Sequence, residues 1–290
     1  MLRINFIGCG QLGRTLGSLW QQHSLLVIGD VLTRSPESAN EAIEQIGAGR
    51  AVSSITEMQA ADIYMVACSD DAIESCSQTL ADSGLLKTGD VVFHCSGAQP
   101  SQLLHACQKQ GAVIASIHPI KSFADIKLAA QSFAGTYCGV EGDDSALSAL
   151  EPFFTNLDAE LLPIHTEHKT LYHAASVIAC NYLVALEELS IQAFEQSGIE
   201  REQALAVLKP IVTGTVENVF RLGTAPALTG PIARGDHSIV SKQLSAMDNW
   251  NSDYATIYRL LGKVSLPLAQ QQGNADPKNL SKIHDSLSIG

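Results

Sequence analysis

The chain has 290 residues, of which 18 are Lys or Arg and 30 are Asp or Glu, so its formal net charge is −12. A hydrophobic fraction of 46% with 17% charged residues excludes general disorder, and the length allows one large domain or two. So acidic a chain is a poor candidate for binding nucleic acid or an anionic membrane surface, although it can still hold a local basic pocket for a phosphate.

The cysteines indicate a reducing compartment. There are seven, an odd number with no C-x-x-C pair, and several lie in apolar strand-like runs. This pattern favours buried thiols in a cytoplasmic protein over a disulfide framework or a zinc site. The apolar run 2–7 is typical of a first strand and not of a secretory signal, and the run 174–186 is interrupted and too short to span a bilayer.

Short apolar runs alternate with helical patterns over the first half of the chain. The predicted strands are 3–7, 25–32, 63–67, 91–95, 113–117, 136–140 and 160–163. The predicted helices between them are 11–22, 38–46, 71–81, 100–110 and 145–157. Strands that alternate with helices predict βαβ units and a mainly parallel sheet, whose central strands are buried on both faces.

The pattern becomes wholly helical after Pro163. One long helix is predicted from Thr166, as its N-cap, to about Ser197, with Gly198 as the C-cap glycine. Further helices are predicted at 200–222, 238–250, 253–272 and 277–287. We therefore expect an α/β domain over residues 1–163 and an all-helical domain over residues 164–290.

A glycine-rich turn follows the first predicted strand. Gly8, Gly10 and Gly13 match G-x-G-x-x-G, with Gln11 and Leu12 between them, directly before a helix. In that context the glycines permit a tight turn, close approach of the backbone to a pyrophosphate and close helix packing. The helix N-terminus adds free N–H groups and a partial positive charge. The turn therefore predicts a dinucleotide-binding site.

The residues after the second strand are expected to select NAD or NADP. Thr33, Arg34 and Ser35 stand there, and Arg34 can pair with a 2′-phosphate while the two hydroxyls add donors. Asp30 is the competing candidate, because an acid at the end of this strand would bind the ribose hydroxyl of NAD. We predict NADP, with NAD as the alternative.

Three further segments follow predicted strands, where open α/β sheets bind cofactor and substrate. Ser69 can contact the cofactor, and Asp70 or Asp71 beside it is expected to cap a helix. Ser96 can hydrogen-bond the nicotinamide carboxamide or the substrate. His118, held in extended geometry before a proline, can act as acid or base near neutral pH, or can simply shape its loop.

The start of the long helix carries an amine, an imidazole and a hydroxyl on one face. At about 100° per residue, the stripe of roughly 60° contains Lys169, His173, Ser176 and Cys180. Lys169 or His173 can supply the proton that a reductase needs, and a solvated helix start is the structural alternative. Asn181 lies about 80° from His173 on the same helix.

A second polar segment lies further along the helical half. Two glycines and a proline in 228–236 predict a specific loop, with Asp236 or Ser238 as the cap of the next helix. Arg234 in this loop can clamp a substrate carboxylate. An ion pair that holds the loop is the alternative.

These motifs together resemble the Rossmann-like plus DUF2520 oxidoreductases of the wider 6-phosphogluconate-dehydrogenase-like superfamily. The stretches that carry the resemblance are 8–13, 33–35, 94–98, 118–119, 172–175, 181–182, 229–231 and 234–236. The resemblance implies an α/β fold, in which a Rossmann-type, mainly parallel sheet domain precedes an all-helical C-terminal domain. It also implies a nicotinamide cofactor and a homodimer formed by the helical domain.

Related families imply a mechanism. Ketopantoate reductases and β-hydroxyacid dehydrogenases have a proton-donating Lys and a substrate-orienting Asn four residues apart on the first interdomain helix. Lys169 and His173 have that spacing, with His in the place of Asn. In prephenate dehydrogenases the His of a His-Pro pair contacts a substrate hydroxyl, and His118 is similar in placement.

We therefore expect an NADP-dependent oxidoreductase that transfers a hydride to or from a small carboxylate, with a 2-oxo acid such as ketopantoate as the expected substrate. Lys169 is the first choice of proton donor, and His173 and His118 orient the substrate or share that role. The residues expected to hold substrate are Ser96, Asn181 and Arg234. One alternative is a non-catalytic NADP-binding regulatory protein, and another is an enzyme of amino-acid metabolism similar to pyrroline-5-carboxylate reductases or prephenate dehydrogenases.

Overall fold

The computed structural model describes residues 1–288, and within them the strands form one eight-stranded sheet. In chain order the strands are β1 (Arg3–Ile7), β2 (Val27–Leu32), β3 (Arg50–Val52), β4 (Ile63–Val66), β5 (Val91–His94), β6 (Val113–Pro119), β7 (Tyr137–Gly142) and β8 (Glu160–Pro163). Their order across the sheet is β3-β2-β1-β4-β5-β6-β7-β8, and every neighbouring pair is parallel except β6 with β7. The mainly parallel sheet is confirmed.

Helices connect these strands and follow the last one. The α-helices of residues 1–180 are α1 (Gln11–Gln22), α2 (Pro36–Ile46), α3 (Ile73–Asp82), α4 (His105–Lys109), α5 (Ile126–Gln131), α6 (Asp144–Thr155) and α7 (Lys169–Ser176). The 3₁₀ turns are Ile55–Glu57, Asp70–Ala72, Ser101–Leu104 and Thr166–His168. All seven predicted strands are present. The prediction missed β3 and α5, because elements of three and six residues are too short to show a hydrophobic period.

Hydrophobic side chains cover both faces of the sheet. On one face, Trp20 of α1 and Phe93 of β5 both pack edge to face on Phe154 of α6, with ring centroids 5.7 and 6.4 Å apart. The Trp20 indole N–H donates to the Phe153 carbonyl at 2.8 Å, so burial of this ring leaves its donor paired. On the other face, Tyr64 is buried in a cluster with apolar residues of α3 and α4. Burial on both faces explains why the central strands are continuously apolar.

The chain divides into two compact units, Met1–Cys180 and Asn181–Gly290. The α-helices of the second unit are α8 (Tyr182–Gln196), α9 (Arg201–Leu222), α10 (Thr224–Ala227), α11 (Gly230–Arg234), α12 (His237–Trp250), α13 (Ser252–Gln272) and α14 (Pro277–Ser288). Its hydrophobic core is formed by residues of α12, α13 and α14. The predicted boundary after residue 163 coincides with the end of β8, whereas the compact units divide further along the chain, at the π-helical turn Val177–Asn181.

Several local predictions are corrected. The long helix is interrupted by that π turn. It begins at Thr166, directly after the N-cap residue His165, so Thr166 is its first residue and not its N-cap. Instead the Thr166 hydroxyl donates to the Glu141 carboxylate at 3.1 Å. After β4, Ser69 occupies the N-cap position that the sequence assigned to an aspartate. The C-terminal glycine is as predicted, since Gly198 follows α8 with φ of +88°.

The loop predicted at 228–236 contains the short helix α11. Arg234 closes this helix, and its guanidinium donates to the Asp236 carboxylate at 2.8 Å. Asp236 occupies the N-cap position of α12, but its side chain makes no cap hydrogen bond there. The carboxylate is therefore used to fix Arg234 and not to cap the helix.

The apolar helical stretch Thr166–Gln196 is more exposed than its composition predicts. It passes a test of length and composition for a membrane-crossing helix, which a core helix can also pass, and only 6% of its apolar window is buried. Leu171, Ile178 and Val184 are exposed by 74%, 62% and 70%.

Candidate functional site

The glycine-rich turn connects the carboxyl end of β1 to α1. Gly8 has φ of +77°, and a Cβ there would lie 2.7 Å from the amide nitrogen of Cys68, so only glycine fits. Gly13 packs closely, with a Cβ position 3.3 Å from the Ala67 side chain. Gly10 differs, because its φ is −76° and no atom lies within 4 Å of the position of a Cβ. The space above Gly10 leaves room for a phosphate group to approach the backbone.

The first turn of α1 is open to an anion. Gln11 and Leu12 begin the helix, and no side chain of residues 1–288 caps this end. The unpaired N–H groups and the positive end of the helix dipole suit a pyrophosphate. Arg14, one turn further, donates to the Cys9 carbonyl at 2.9 Å and to the Ser38 hydroxyl at 3.2 Å, which ties the turn to α2. The residues present therefore fit a dinucleotide phosphate.

Asp30 lies in an ion pair with Arg50. The strand β2 continues past it to Leu32, and its buried carboxylate accepts two bonds from the Arg50 guanidinium at 2.8 and 2.9 Å. The backbone N–H of Gln59 donates a third bond at 2.6 Å. Although burial opposes it, these bonds and the charge of Arg50 hold the pKa of Asp30 below its ordinary value. The carboxylate is therefore ionised and committed to its own protein.

The residues after β2 form a turn that exposes Arg34. The Thr33 hydroxyl donates to the Ser35 carbonyl at 2.8 Å, and the Ser35 hydroxyl oxygen accepts the Ser38 N–H at 3.3 Å as the N-cap of α2. Both hydroxyls thus shape the turn. Arg34 is exposed beside the start of α2. Of these three residues, it is the one whose side chain can best bind a phosphate.

A buried histidine shapes the loop after β5. The His94 Nδ1 accepts the Ser96 N–H at 3.1 Å, and its Nε2 lies 3.1 Å from the Pro100 carbonyl, so Nε2 carries the proton. Burial, with a smaller contribution from the charge of Lys169, lowers the pKa of His94 to about 4. The neutral ring therefore holds both ends of the loop at neutral pH.

Two serines lie in the loops that follow β4 and β5. The Ser96 hydroxyl oxygen accepts a hydrogen bond from the Gln99 N–H at 3.0 Å, so this oxygen already has a donor within the loop. Ser69 is exposed after β4, and its side chain makes no cap hydrogen bond to the 3₁₀ turn Asp70–Ala72. Of these two predicted contacts to cofactor, Ser69 has the more accessible hydroxyl.

Three ring side chains meet at the carboxyl end of β6. His118 Nδ1 lies 3.0 Å from the Tyr172 hydroxyl, and the His118 ring packs edge to face on Tyr172 and His173 of α7, with centroids 5.8 and 5.7 Å apart. Gly97 borders the cluster, since a Cβ there would lie 2.8 Å from His118 Nε2 and would also strike His173. A Cβ on Gly139 of β7 would likewise collide with the Tyr172 hydroxyl. The two glycines leave the space that the rings occupy.

Two of the three side chains in this cluster, His118 and Tyr172, are held in neutral forms. Burial, followed by the charges of His173 and Lys169, lowers the pKa of His118 to about 4. Burial raises the pKa of the Tyr172 hydroxyl to about 12. At neutral pH, His118 and Tyr172 therefore act as hydrogen-bonding groups and not as charges.

Lys169, which precedes Tyr172 and His173 on α7, forms a buried ion pair. Its ammonium donates to the Glu141 carboxylate at 2.8 Å and to the Ser116 hydroxyl. Glu141 also accepts the backbone N–H and the hydroxyl of Ser101, at 2.8 and 2.7 Å. Burial would raise the pKa of Glu141, but the bond and charge of Lys169, with the Ser101 bonds, bring it below its ordinary value. The carboxylate thus stays ionised, and Lys169 is held as its partner.

The predicted catalytic residues are close together, but their environments differ. Lys169, His173 and His118 all lie at the carboxyl end of β6, where Lys169 is 1% exposed and the imidazoles are half-buried. Asn181 and Arg234 belong to the second unit, where Asn181 is exposed at the end of the π turn. For Arg234 the geometry is that of the ion-pair alternative.

Sequence reasoning missed Glu141 and Gly139, and it placed Tyr172 and Gly97 only within the stretches 172–175 and 94–98 that carry the family resemblance. Glu141 did carry a signal, because it is an acid within the apolar strand β7 and a buried carboxylate needs a cationic partner. Gly139 carried none, and its contact with Tyr172 could not be predicted because it joins residues from distant parts of the chain.

Residues 1–119 match the Rossmann-like domain, and residues 136–264 match the Domain of unknown function DUF2520. A protein of Thermotoga maritima is 27% identical, with a TM-score of 0.73 over 93% of this chain and 99% of its own. The imine reductase of Myxococcus stipitatus in complex with NADP⁺ is 15% identical, with a TM-score of 0.66 over 97% and 99%. A pyrroline-5-carboxylate reductase of Coxiella burnetii is 16% identical, with a TM-score of 0.58 over 100% and 99%. No curated protein matches the chain in sequence.

Proposed function

This chain joins a Rossmann-like domain to a DUF2520 domain, and on that premise we propose that it is an NADP-dependent oxidoreductase acting on a small carboxylate. One observation carries the proposal. The open glycine turn follows β1 and the cluster of His118, Tyr172 and His173 follows β6, so both lie at the carboxyl edge of one parallel sheet. That edge is where such sheets bind a dinucleotide and its substrate.

The choice of NADP rests on the end of β2. Asp30 is buried and paired with Arg50, so a ribose hydroxyl would have to displace that ion pair to bind its carboxylate. Arg34 is exposed beside the N-terminus of α2, where a guanidinium suits a 2′-phosphate. The similar imine reductase structure holds NADP⁺, which supports the same choice.

The protonation states bear on the substrate. When bound, NADPH supplies a hydride, the two electrons and one hydrogen that reduce a C=O or C=N bond. A ketone also needs a proton on its oxygen, whereas a protonated imine already carries the proton that the product amine retains. The residues of the site must therefore include a ready proton donor only for the first of these substrates.

The cluster favours the imine. His118 is neutral at physiological pH because burial lowers its pKa to about 4, and the Tyr172 hydroxyl holds its proton because burial raises its pKa to about 12. Lys169 is occupied by Glu141. These groups can orient a substrate by hydrogen bonds, so an imino acid is the favoured substrate. A 2-oxo acid such as ketopantoate is the second candidate, with His173 as the remaining donor.

A substrate panel tests this proposal. We expect NADPH oxidation with cyclic imino acids such as pyrroline-5-carboxylate, and slower oxidation with ketopantoate and other 2-oxo acids. Faster turnover of 2-oxo acids would overturn the choice of imine. Tight NADPH binding without turnover of any substrate would support the regulatory alternative. Absence of NADPH binding would refute the proposal as a whole.

We also propose that the chain is a cytoplasmic homodimer, formed through the exposed apolar faces of α8 and α9. Val184 of α8 and Ile211 and Phe220 of α9 are exposed by 70%, 56% and 87%. A second copy is the occupant that fits best, because it offers the same apolar surface, whereas a chain of net charge −12 is repelled by an anionic membrane. The seven free cysteines agree with a reducing compartment.

Sedimentation of the whole chain tests the homodimer. We expect the mass of a dimer for the unchanged protein and of a monomer for Phe220→Asp, with Glu217→Gln on the same helix as the control. A monomeric unchanged protein, or one that partitions into lipid vesicles, would refute the proposal.

A further inference from the structure

Helix α7 is attached to the sheet through a charge. Lys169 is the one buried residue of this described helix, and neighbours such as Leu171 point outward. A lysine rarely anchors a helix, because burial of an ammonium is unfavourable without a partner. Here Glu141 of β7 and Ser116 of β6 supply the partners. The anchor therefore joins α7 to two adjacent strands at one point.

The anchor determines where the next turn of the helix lies. Tyr172 and His173 are three and four residues after Lys169, so all three share one face of α7. That face places the Tyr172 hydroxyl 3.0 Å from His118 Nδ1 and the His173 ring against His118. The strands β6 and β7 that hold Lys169 also carry His118 and Gly139. A shift of the anchor would therefore move both rings relative to β6.

We propose that the Lys169–Glu141 ion pair is a positioning device that holds Tyr172 and His173 against His118, and that Lys169 delivers no proton to the substrate. The inference rests on the proposed function in one respect, since it treats His118 as the group beside the reacting atoms. It assigns Lys169 a different role from the proton donor that its spacing with His173 suggests.

The charges around His118 make the device measurable. Tyr172 and His173 of α7 contact this imidazole, and the charges of Lys169 of α7 and of Asp70, from the 3₁₀ turn after β4, act on it. After burial and the charge of His173, the ammonium of Lys169 contributes to the low pKa of His118, and Asp70 opposes it. Loss of the ammonium, or release of α7, should therefore raise the pKa of His118 toward its ordinary value.

The test is an NMR titration of His118 in the ligand-free full-length chain, assigned with His118→Gln. We expect a midpoint near pH 4 in the unchanged protein and a rise of about half a unit or more in Lys169→Met/Glu141→Gln, which removes both charges together. In the control Lys121→Met the midpoint should not move. Lys121 is also a cation close to His118 in the chain, but its amine donates to the Ser132 carbonyl.

Turnover supplies the second measurement. We expect the double variant to lose most of kcat with little change in the Kd for NADPH. A folded double variant that keeps both the midpoint of His118 and kcat would overturn the inference. If it does not fold, Ser116→Ala removes one partner of the ammonium without a charge change, and unchanged kcat in that variant would be equally decisive. A chain that never binds NADPH refutes the proposed function but leaves the titration readable.

Discussion

The Lys169 ammonium lies 2.8 Å from the Glu141 carboxylate, and both side chains are almost fully buried, at 1% and 3% exposure. Two charges are stable in such a place only when good geometry and further hydrogen bonds offset their lost hydration. Ser101 and Thr166 provide those bonds to the carboxylate, and Ser116 accepts from the ammonium. The pair therefore has the features of a stable buried ion pair.

Removal of one partner should destabilise the fold strongly. Glu141→Gln and Lys169→Met each leave an uncompensated buried charge, so we expect the free energy of unfolding to fall by about 3–5 kcal/mol. Lys169→Met/Glu141→Gln should lose clearly less than the two single losses combined, because no charge is orphaned. Urea denaturation measures all three, and strictly additive losses would contradict the coupling.

Gly8 and Gly10 should respond oppositely to the same change. In Gly8→Ala a side chain must adopt φ of +77° and meet the Cys68 backbone, so we expect a loss of about 2 kcal/mol or more of stability. In Gly10→Ala the methyl group meets no atom, so thermal stability should be kept while NADPH binding weakens about tenfold or more, or ~1.4 kcal/mol. Equal NADPH affinity in Gly10→Ala would show that no phosphate approaches there.

Arg34→Gln should weaken NADPH binding and spare NADH. The guanidinium is expected to meet only the 2′-phosphate, and a charge-assisted bond of about 1.5–3 kcal/mol corresponds to a loss of roughly 10–100-fold. Titration calorimetry with both nucleotides makes NADH the internal control. An equal loss of both affinities would place Arg34 elsewhere than at the 2′-phosphate.

Gly97→Ala should impair turnover more than folding. The added methyl group would lie 2.7 Å from His118 Cε1 and would strike His173, so both rings must shift. We expect a reduction of kcat by about tenfold or more from misplaced catalytic groups, with little change in thermal stability because the rings end flexible side chains. Gly214→Ala, in α9 with open space around it, is the matched control. Normal kcat in Gly97→Ala would remove this cluster from the reaction.

Acid should destabilise the protein through His94. Because burial lowers the pKa of His94 from 6.5 to about 4, the unfolded chain binds more protons than the folded one between these values. Its contribution is present above about pH 6.5 and is lost as the pH falls toward 4. We expect about 2 kcal/mol less stability at pH 5 than at pH 7, with His118 acting in the same direction. His94→Asn, which has no titrating group, should show a smaller loss in urea denaturation.

Local patterns predicted the fold well. The helix 11–22 and the strands 3–7 and 160–163 have the predicted bounds, because their apolar period and flanking residues are contained in the segment itself. The π turn Val177–Asn181 could not be predicted, since it has no composition of its own. The glycine turn was equally local, because Gly8, Gly10 and Gly13 lie within six consecutive residues between a predicted strand and a predicted helix.

The sequence by itself therefore determined the alternation of strands and helices, the glycine turn and the candidate residues. Only the tertiary structure decided their partners. It showed that Asp30 is occupied by Arg50, that Lys169 is buried against Glu141, and that Tyr172 reaches His118. The physical reason is that burial and pairing are set by residues distant in the chain, and a side chain's charge and availability depend on those neighbours more than on its own identity.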